Sequence, residues 1–125
     1  MSATATMPLV KTPLWDHQID ALDAMRGKTG FLLAHDMGAG KSLTAIAALE
    51  QRQAMRVLVL CPKSVVAVWP DQVKQHTIRH WHTWAGQVQG ARGPLANPSV
   101  AKRCEALIKA NTDAIKLRRP FMAVV

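Results

Sequence analysis

The sequence predicts an α/β fold with a mostly parallel sheet flanked by helices, and three observations carry that prediction. The apolar runs Phe31-Leu32-Leu33, Val57-Leu58-Val59-Leu60-Cys61 and Phe121-Met122-Ala123-Val124-Val125 are continuous rather than alternating. Strands covered by helices on both faces read that way. Between the runs lie segments with apolar residues at helical spacing. The first run also passes through a glycine loop directly into a helical pattern, the unit from which doubly wound sheets are built.

The elements follow in order. Residues 1–12 lack a basic start and an apolar signal core, and read as a flexible tail. A helix is predicted over residues 17–26, with Asp16 as N-cap, Ile19, Leu22 and Met25 on one apolar face, and Gly27 as its stop. A strand at 30–34, the glycine loop and a helix from 41 to 53 come next. The strand at 56–61 ends at Pro62. Ser64 can cap a segment in which Val65, Trp69 and Val73 share a face, and Pro70 calls for a kink or a fresh helix start. Residues 77–97 predict an irregular connection with one short strand. Asn97-Pro98 opens a long helix with Val100, Cys104, Leu107, Ile108, Asn111 and Ile115 at helical spacing, ended before Pro120. Residues 121–125 are a third, buried strand.

With 125 residues the chain is one domain by length, long enough to bury a core. Sixteen Lys and Arg against eight Asp and Glu give a net charge of +8, which favours polyanionic partners, nucleic acid before an anionic membrane surface. Cys61 and Cys104 have no metal spacing around them and do not suggest a disulfide-stapled secreted domain. No apolar run approaches the roughly 20 residues of a membrane span. An intracellular location is expected, in the cytoplasm or nucleoid, or in the nucleus of a eukaryote.

The segment Ala34-His35-Asp36-Met37-Gly38-Ala39-Gly40-Lys41-Ser42 carries the chemistry. Gly38 and Gly40 permit backbone angles closed to other residues, so that N–H groups can close on a phosphate. The helix starting near Lys41 points its unpaired N–H groups and positive dipole end at the same anion. Lys41 reaches the β- and γ-phosphates of a nucleoside triphosphate and the Ser42 hydroxyl ligates Mg²⁺. The first glycine of the general pattern falls at position 35, which is His35.

Three segments together resemble the opening of the ATPase core of Swi/Snf-type DNA translocases, in helicase superfamily two. They are Leu14-Trp15-Asp16-His17-Gln18, the loop from Ala34 to Ser42, and Leu60-Cys61-Pro62-Lys63-Ser64-Val65-Val66-Ala67-Val68-Trp69. The family's motif I often reads D-E-M-G-L-G-K-T and also lacks the first glycine; its motif Ia runs V-x-P-x-S-L-L-x-x-W. His17 stands where the family has tyrosine. The resemblance implies that residues 13–125 are the N-terminal portion of a RecA-like ATP-binding lobe. It implies ATP binding by Gln18, Asp36, Met37, Gly38, Ala39, Gly40, Lys41 and Ser42, with Lys41 catalytic, Ser42 on the Mg²⁺ and Gln18 on the adenine edge. Lys63 and Ser64 would face the backbone of double-stranded DNA.

Hydrolysis needs further groups: a carboxylate for Mg²⁺, a group that orients water, and an arginine finger. No Asp-Glu pair occurs in the sequence. The resemblance therefore implies a fragment lacking Walker B and the second lobe, active within a longer motor and inactive or barely active alone. Two alternatives stand beside it: a stand-alone basic DNA-binding module with a vestigial phosphate loop, and another P-loop enzyme such as a small kinase. His76, His80 and His82 read as surface or DNA-facing residues rather than metal ligands, Trp81 and Trp84 as packing under a loop, and Lys116-Leu117-Arg118-Arg119 as a solvated helix end.

Overall fold

The middle of the sheet is its last strand. Along the chain, the computed structural model contains α1 (Asp16–Met25), α2 (Lys41–Gln51), β1 (Arg56–Val59) and a 3₁₀ turn (Lys63–Val65). These are followed by α3 (Val68–His76), β2 (His82–Ala85), α4 (Val100–Lys116) and β3 (Phe121–Val124). It describes residues 10–35, 38, 40–86 and 99–125. The contacts divide the chain into two units, Met1–Gln53 with His76–Ile78, and Ala54–Gln75 with Arg79–Val125.

In the second unit the strand order is β1-β3-β2, and both pairings are parallel. Phe121 stands opposite Arg56 on one side and His82 on the other, and Val124 opposite Val59 and Ala85. Every residue of β3 is buried, as the continuous run Phe-Met-Ala-Val predicts for a strand with neighbours on both sides. α4 packs on β2 and β3, where Ala114, Phe121 and Ala123 form a core flanked by Trp84, Leu107 and Ala110. Trp84, expected to pack under a loop, lies instead on β2 and packs against that helix–strand core. The expected burial of β1 on both faces is not found. Among the described residues β1 pairs only with β3, and its burial alternates, with Leu58 62 % exposed.

The predicted face of the long helix is found only in part. Val100 is 67 % exposed, Ile108 65 % and Ile115 54 %, whereas Leu107, of the same predicted row, packs on the core together with Ala110 and Ala114. Helical spacing supported either row, and the small alanines let α4 approach the strands closely. Its N-cap is Ser99, whose Oγ accepts from Lys102 N at 3.2 Å; the predicted opening Asn97-Pro98 lies outside the described residues. Ser99→Ala is expected to lower stability by about 1 kcal/mol, read as a drop of a few degrees in a thermal melt. At the other end Arg118 takes φ +55°, with Arg118 N donating to Ile115 O (3.1 Å) and Arg119 N to Ala114 O (3.0 Å). That is a Schellman closure made without glycine.

Between β1 and β2, Pro70 is the third residue of α3, in the first turn where its missing N–H has no intrahelical partner to lose. The fresh helix start predicted at Pro70 is found. Ser64, predicted as a cap, lies inside the 3₁₀ turn, whose N-cap is Pro62. Val66 and Val73 are buried, Trp69 is half-buried and Val65 is exposed.

In the first unit α1 packs on α2, with Ala21, Leu22 and Met25 buried on one and Ile46 and Ala47 on the other. Asp16 is the first helical residue rather than the cap, which is Trp15. Ile19, expected in the core, is 44 % exposed and Gln18 is buried in its place. The predicted strand at 30–34 is absent: these residues join no ladder, and Leu32 is 84 % exposed. An apolar run becomes a strand only beside a partner, and among the described residues none pairs with it. Of the stretch expected as a tail, residues 1–9 lie outside the described residues, whereas Val10 is buried and bridges Thr77 in antiparallel fashion. Lys11 N donates to His76 O at 2.7 Å.

Candidate functional site

The loop between residues 34 and 41 is built from two left-handed glycines and the start of a helix. Gly38 has φ +80° and Gly40, the N-cap of α2, has φ +74°. Both angles suit glycine and strain any side chain with a Cβ. Asp36, Met37 and Ala39, predicted to bind ATP, lie outside the described residues. Gly40 O accepts three donors: Thr44 N at 3.0 Å, Thr44 Oγ1 at 3.0 Å and Gln18 Nε2 at 3.1 Å. The N–H groups of Lys41, Ser42 and Leu43 precede that first intrahelical bond and have no partner within the helix. A helix so begun presents donors and a positive dipole end to an anion.

Gln18, predicted from a position 22 residues earlier, lies against the loop. Its Oε1 accepts from Trp15 N at 2.8 Å while its Nε2 donates to Gly40 O, so one amide caps α1 and holds the last loop glycine. A Cβ placed on Gly40 would lie 2.6 Å from Gln18 Nε2, so any larger residue there would displace the Gln18 amide as well as strain the backbone. The Gln18 amide retains one N–H and one oxygen lone pair for a further partner. Gln18→Ala would leave Trp15 N without its side-chain partner, and a loss of roughly 1–2 kcal/mol is expected from denaturant melts.

Lys41 and Ser42 are exposed at the first turn of α2. Lys41 Nζ donates to His35 O at 2.8 Å, so the ammonium reaches back to the residue standing in place of the first glycine. The His35 ring meets His17 edge-on, with centroids 5.1 Å apart, and His17 in turn lies 5.5 Å from Trp15. The residue in the family's tyrosine position thus contacts the start of the loop. Thr44 was not singled out by the sequence. Its signal is a hydroxyl four residues after a loop glycine, the spacing at which Thr bonds back to a helix carbonyl.

Lys63 and Ser64 are exposed in the 3₁₀ turn directly after β1, in the second unit. His76, expected at the surface, is buried, with its Nδ1 hydrogen-bonded to the Thr12 hydroxyl, and the His82 ring lies 6.1 Å from that of Phe121. Arg79 stands 5.0 Å over the Trp81 ring. Among the described residues no group of three or more His, Cys, Asp or Glu is placed to hold a metal ion, and no helix is long and apolar enough to cross a membrane.

Comparison with known proteins agrees with this geometry. The family model described as SNF2-related domain matches residues 17–102, which take in Gln18, the glycine loop and the 3₁₀ turn. A protein of Acanthamoeba polyphaga mimivirus named "Putative helicase L115" is 33 % identical over 86 residues, covering 59 % of this chain. The chain spans 7 % of that relative's length. No solved structure matches. A glycine loop opening a helix, a buried glutamine bonded to it and a Pro-Lys-Ser turn after a parallel strand occur here within a family match over most of the chain: the protein belongs to the SNF2-related domain family.

Proposed function

We propose that the chain binds Mg-ATP through its glycine loop and serves as the ATP-binding portion of a Swi/Snf-type translocase on double-stranded DNA. The observation that carries the reading is the start of α2. There a left-handed Gly40, three N–H groups, the Lys41 ammonium and the Ser42 hydroxyl stand together, a donor set suited to a polyphosphate with its Mg²⁺. Lys41 would exchange the His35 carbonyl for phosphate oxygens, Ser42 would ligate the metal, and the free positions of the Gln18 amide match the adenine N6 and N7. Asp36, Met37 and Ala39 complete the loop in this reading. Lys63 and Ser64 would contact the DNA backbone. Hydrolysis belongs, in this proposal, to a longer protein that supplies the Mg-holding carboxylate and the arginine finger.

Titration of the full chain with Mg-ATP in a calorimeter tests the reading. Saturable binding that is lost on chelating Mg²⁺ is expected, and no binding at millimolar nucleotide would overturn it. The charge of +8 favours a second reading, a basic DNA-binding module whose loop is vestigial. Salt-sensitive duplex affinity in a chain that binds no nucleotide would select that one.

A further inference from the structure

The strands of the sheet begin side by side. Phe121 N donates to Met55 O at 2.9 Å and His82 N to Pro120 O at 2.8 Å, so the chain entering β3 lies between those entering β1 and β2. The sequence makes this edge basic. Arg56 opens β1, Arg79 and His80 precede β2, and Lys116, Arg118 and Arg119 precede β3. No Asp or Glu occurs in residues 54–56, 79–85 or 114–125. Arg56, Lys116, Arg118 and Arg119 make no ion pair among the described residues. Like charges gathered on one edge repel one another, and a partner of opposite charge relieves that repulsion.

The edge is apolar as well as charged, and it is held in shape. Arg79 Nη2 donates to Ala54 O (2.8 Å) and Nη1 to Met55 Sδ (3.6 Å), and the guanidinium lies 5.0 Å from the centroid of the Trp81 ring. One side chain thus links the chain entering β2 to the chain entering β1. Met55 is 45 % exposed and Leu117 54 %. Aromatic, methionine and arginine side chains are those that protein interfaces concentrate. Arg118 gives a separate indication. It closes α4 at φ +55°, where glycine is unstrained and a residue with a Cβ is not. An arginine at a position that suits glycine points to a use for the guanidinium outside the fold.

We propose that this edge docks an acidic protein segment that also carries apolar side chains. Arg118 and Arg119 pair with its carboxylates through their planar N–H forks, and Met55, Trp81 and Leu117 cover its apolar groups. A nucleic acid fits less well. Its phosphates would meet the arginines, but its backbone has nothing apolar to lay on Met55 and Leu117, and one face of Trp81 is already taken by Arg79. The surface lies within one unit of the chain and stands whether or not the glycine loop binds nucleotide.

Fluorescence anisotropy of a short labelled peptide of Asp, Glu and Leu, titrated with the full chain at physiological ionic strength, tests the proposal. Saturable binding is expected. Arg118→Gly removes a charge at a backbone angle that suits glycine, so weaker binding should come with an unchanged or raised melting temperature. Combined with Arg119→Gln it is expected to weaken the peptide about tenfold. Lys28→Gln with Lys74→Gln removes the same charge elsewhere on the exposed surface, where salt screens it, and should change binding by less than about twofold. No saturable binding, or equal weakening by the two pairs, overturns the proposal. A peptide of glutamate alone that binds as tightly overturns the apolar part of the surface. A DNA duplex weakened more than the peptide by the Arg118 and Arg119 substitutions assigns the edge to nucleic acid and overturns the acidic segment.

Discussion

Lys41→Ala is expected to weaken Mg-ATP binding by roughly 100-fold or more, about 3 kcal/mol of charge-assisted contact with the phosphates. Its effect on folding should be small. The side chain is exposed and its bond is to the His35 carbonyl, a neutral acceptor at the surface. Exposed substitutions of this kind fall within about 0.5 kcal/mol. The helix itself gains from the change, because an ammonium in the first turn of α2 opposes the macrodipole. A lysine at that position is therefore a local liability, best accounted for by an anion that the lysine and the helix end hold together. Calorimetric titration of wild type and variant, with thermal melts of both, separates the two effects. Equal nucleotide binding by the variant would contradict the assignment of the loop. A melt lowered by many degrees would show that Lys41 holds the structure rather than a ligand.

How far the fold and the site were legible depends on whether a residue's role is local. The glycines of the loop announce themselves because a positive φ is a demand on one residue, and Gly38 and Gly40 meet it. β3 was legible because burial on both faces imposes an uninterrupted apolar run. The run at Phe31-Leu32-Leu33 looks the same in sequence and forms no strand, since a strand needs a partner and partners are non-local. Gln18 was legible as a functional candidate through the family resemblance alone. Its burial in place of Ile19 follows from the bond to Gly40, which no helical periodicity contains. Val10, within the predicted tail, is held by a bridge to a residue 67 positions away.

The face that α4 offers to the sheet separates the two kinds of inference most sharply, and a pair of variants decides it. Met122 is fully buried in the middle strand, opposite Val57 of β1 and Thr83 of β2. Met122→Ala would leave a cavity where strands on both sides limit collapse, and a loss of about 2–5 kcal/mol is expected. Small domains have only about 5–15 kcal/mol of stability in all, so the melting temperature should fall by roughly 10 °C or more. Ile108→Ala removes nearly as much apolar side chain. Helical spacing put Ile108 on the buried row, where it would cost a similar amount. The structure exposes it by 65 %, and there the loss should be within about 0.5 kcal/mol. Comparable destabilisation by both would mean that the Val100–Ile108 row is covered in solution and that α4 is turned by about one residue, roughly 100°, from the orientation described. A large loss for Met122 alone fixes Leu107, Ala110 and Ala114 against the sheet.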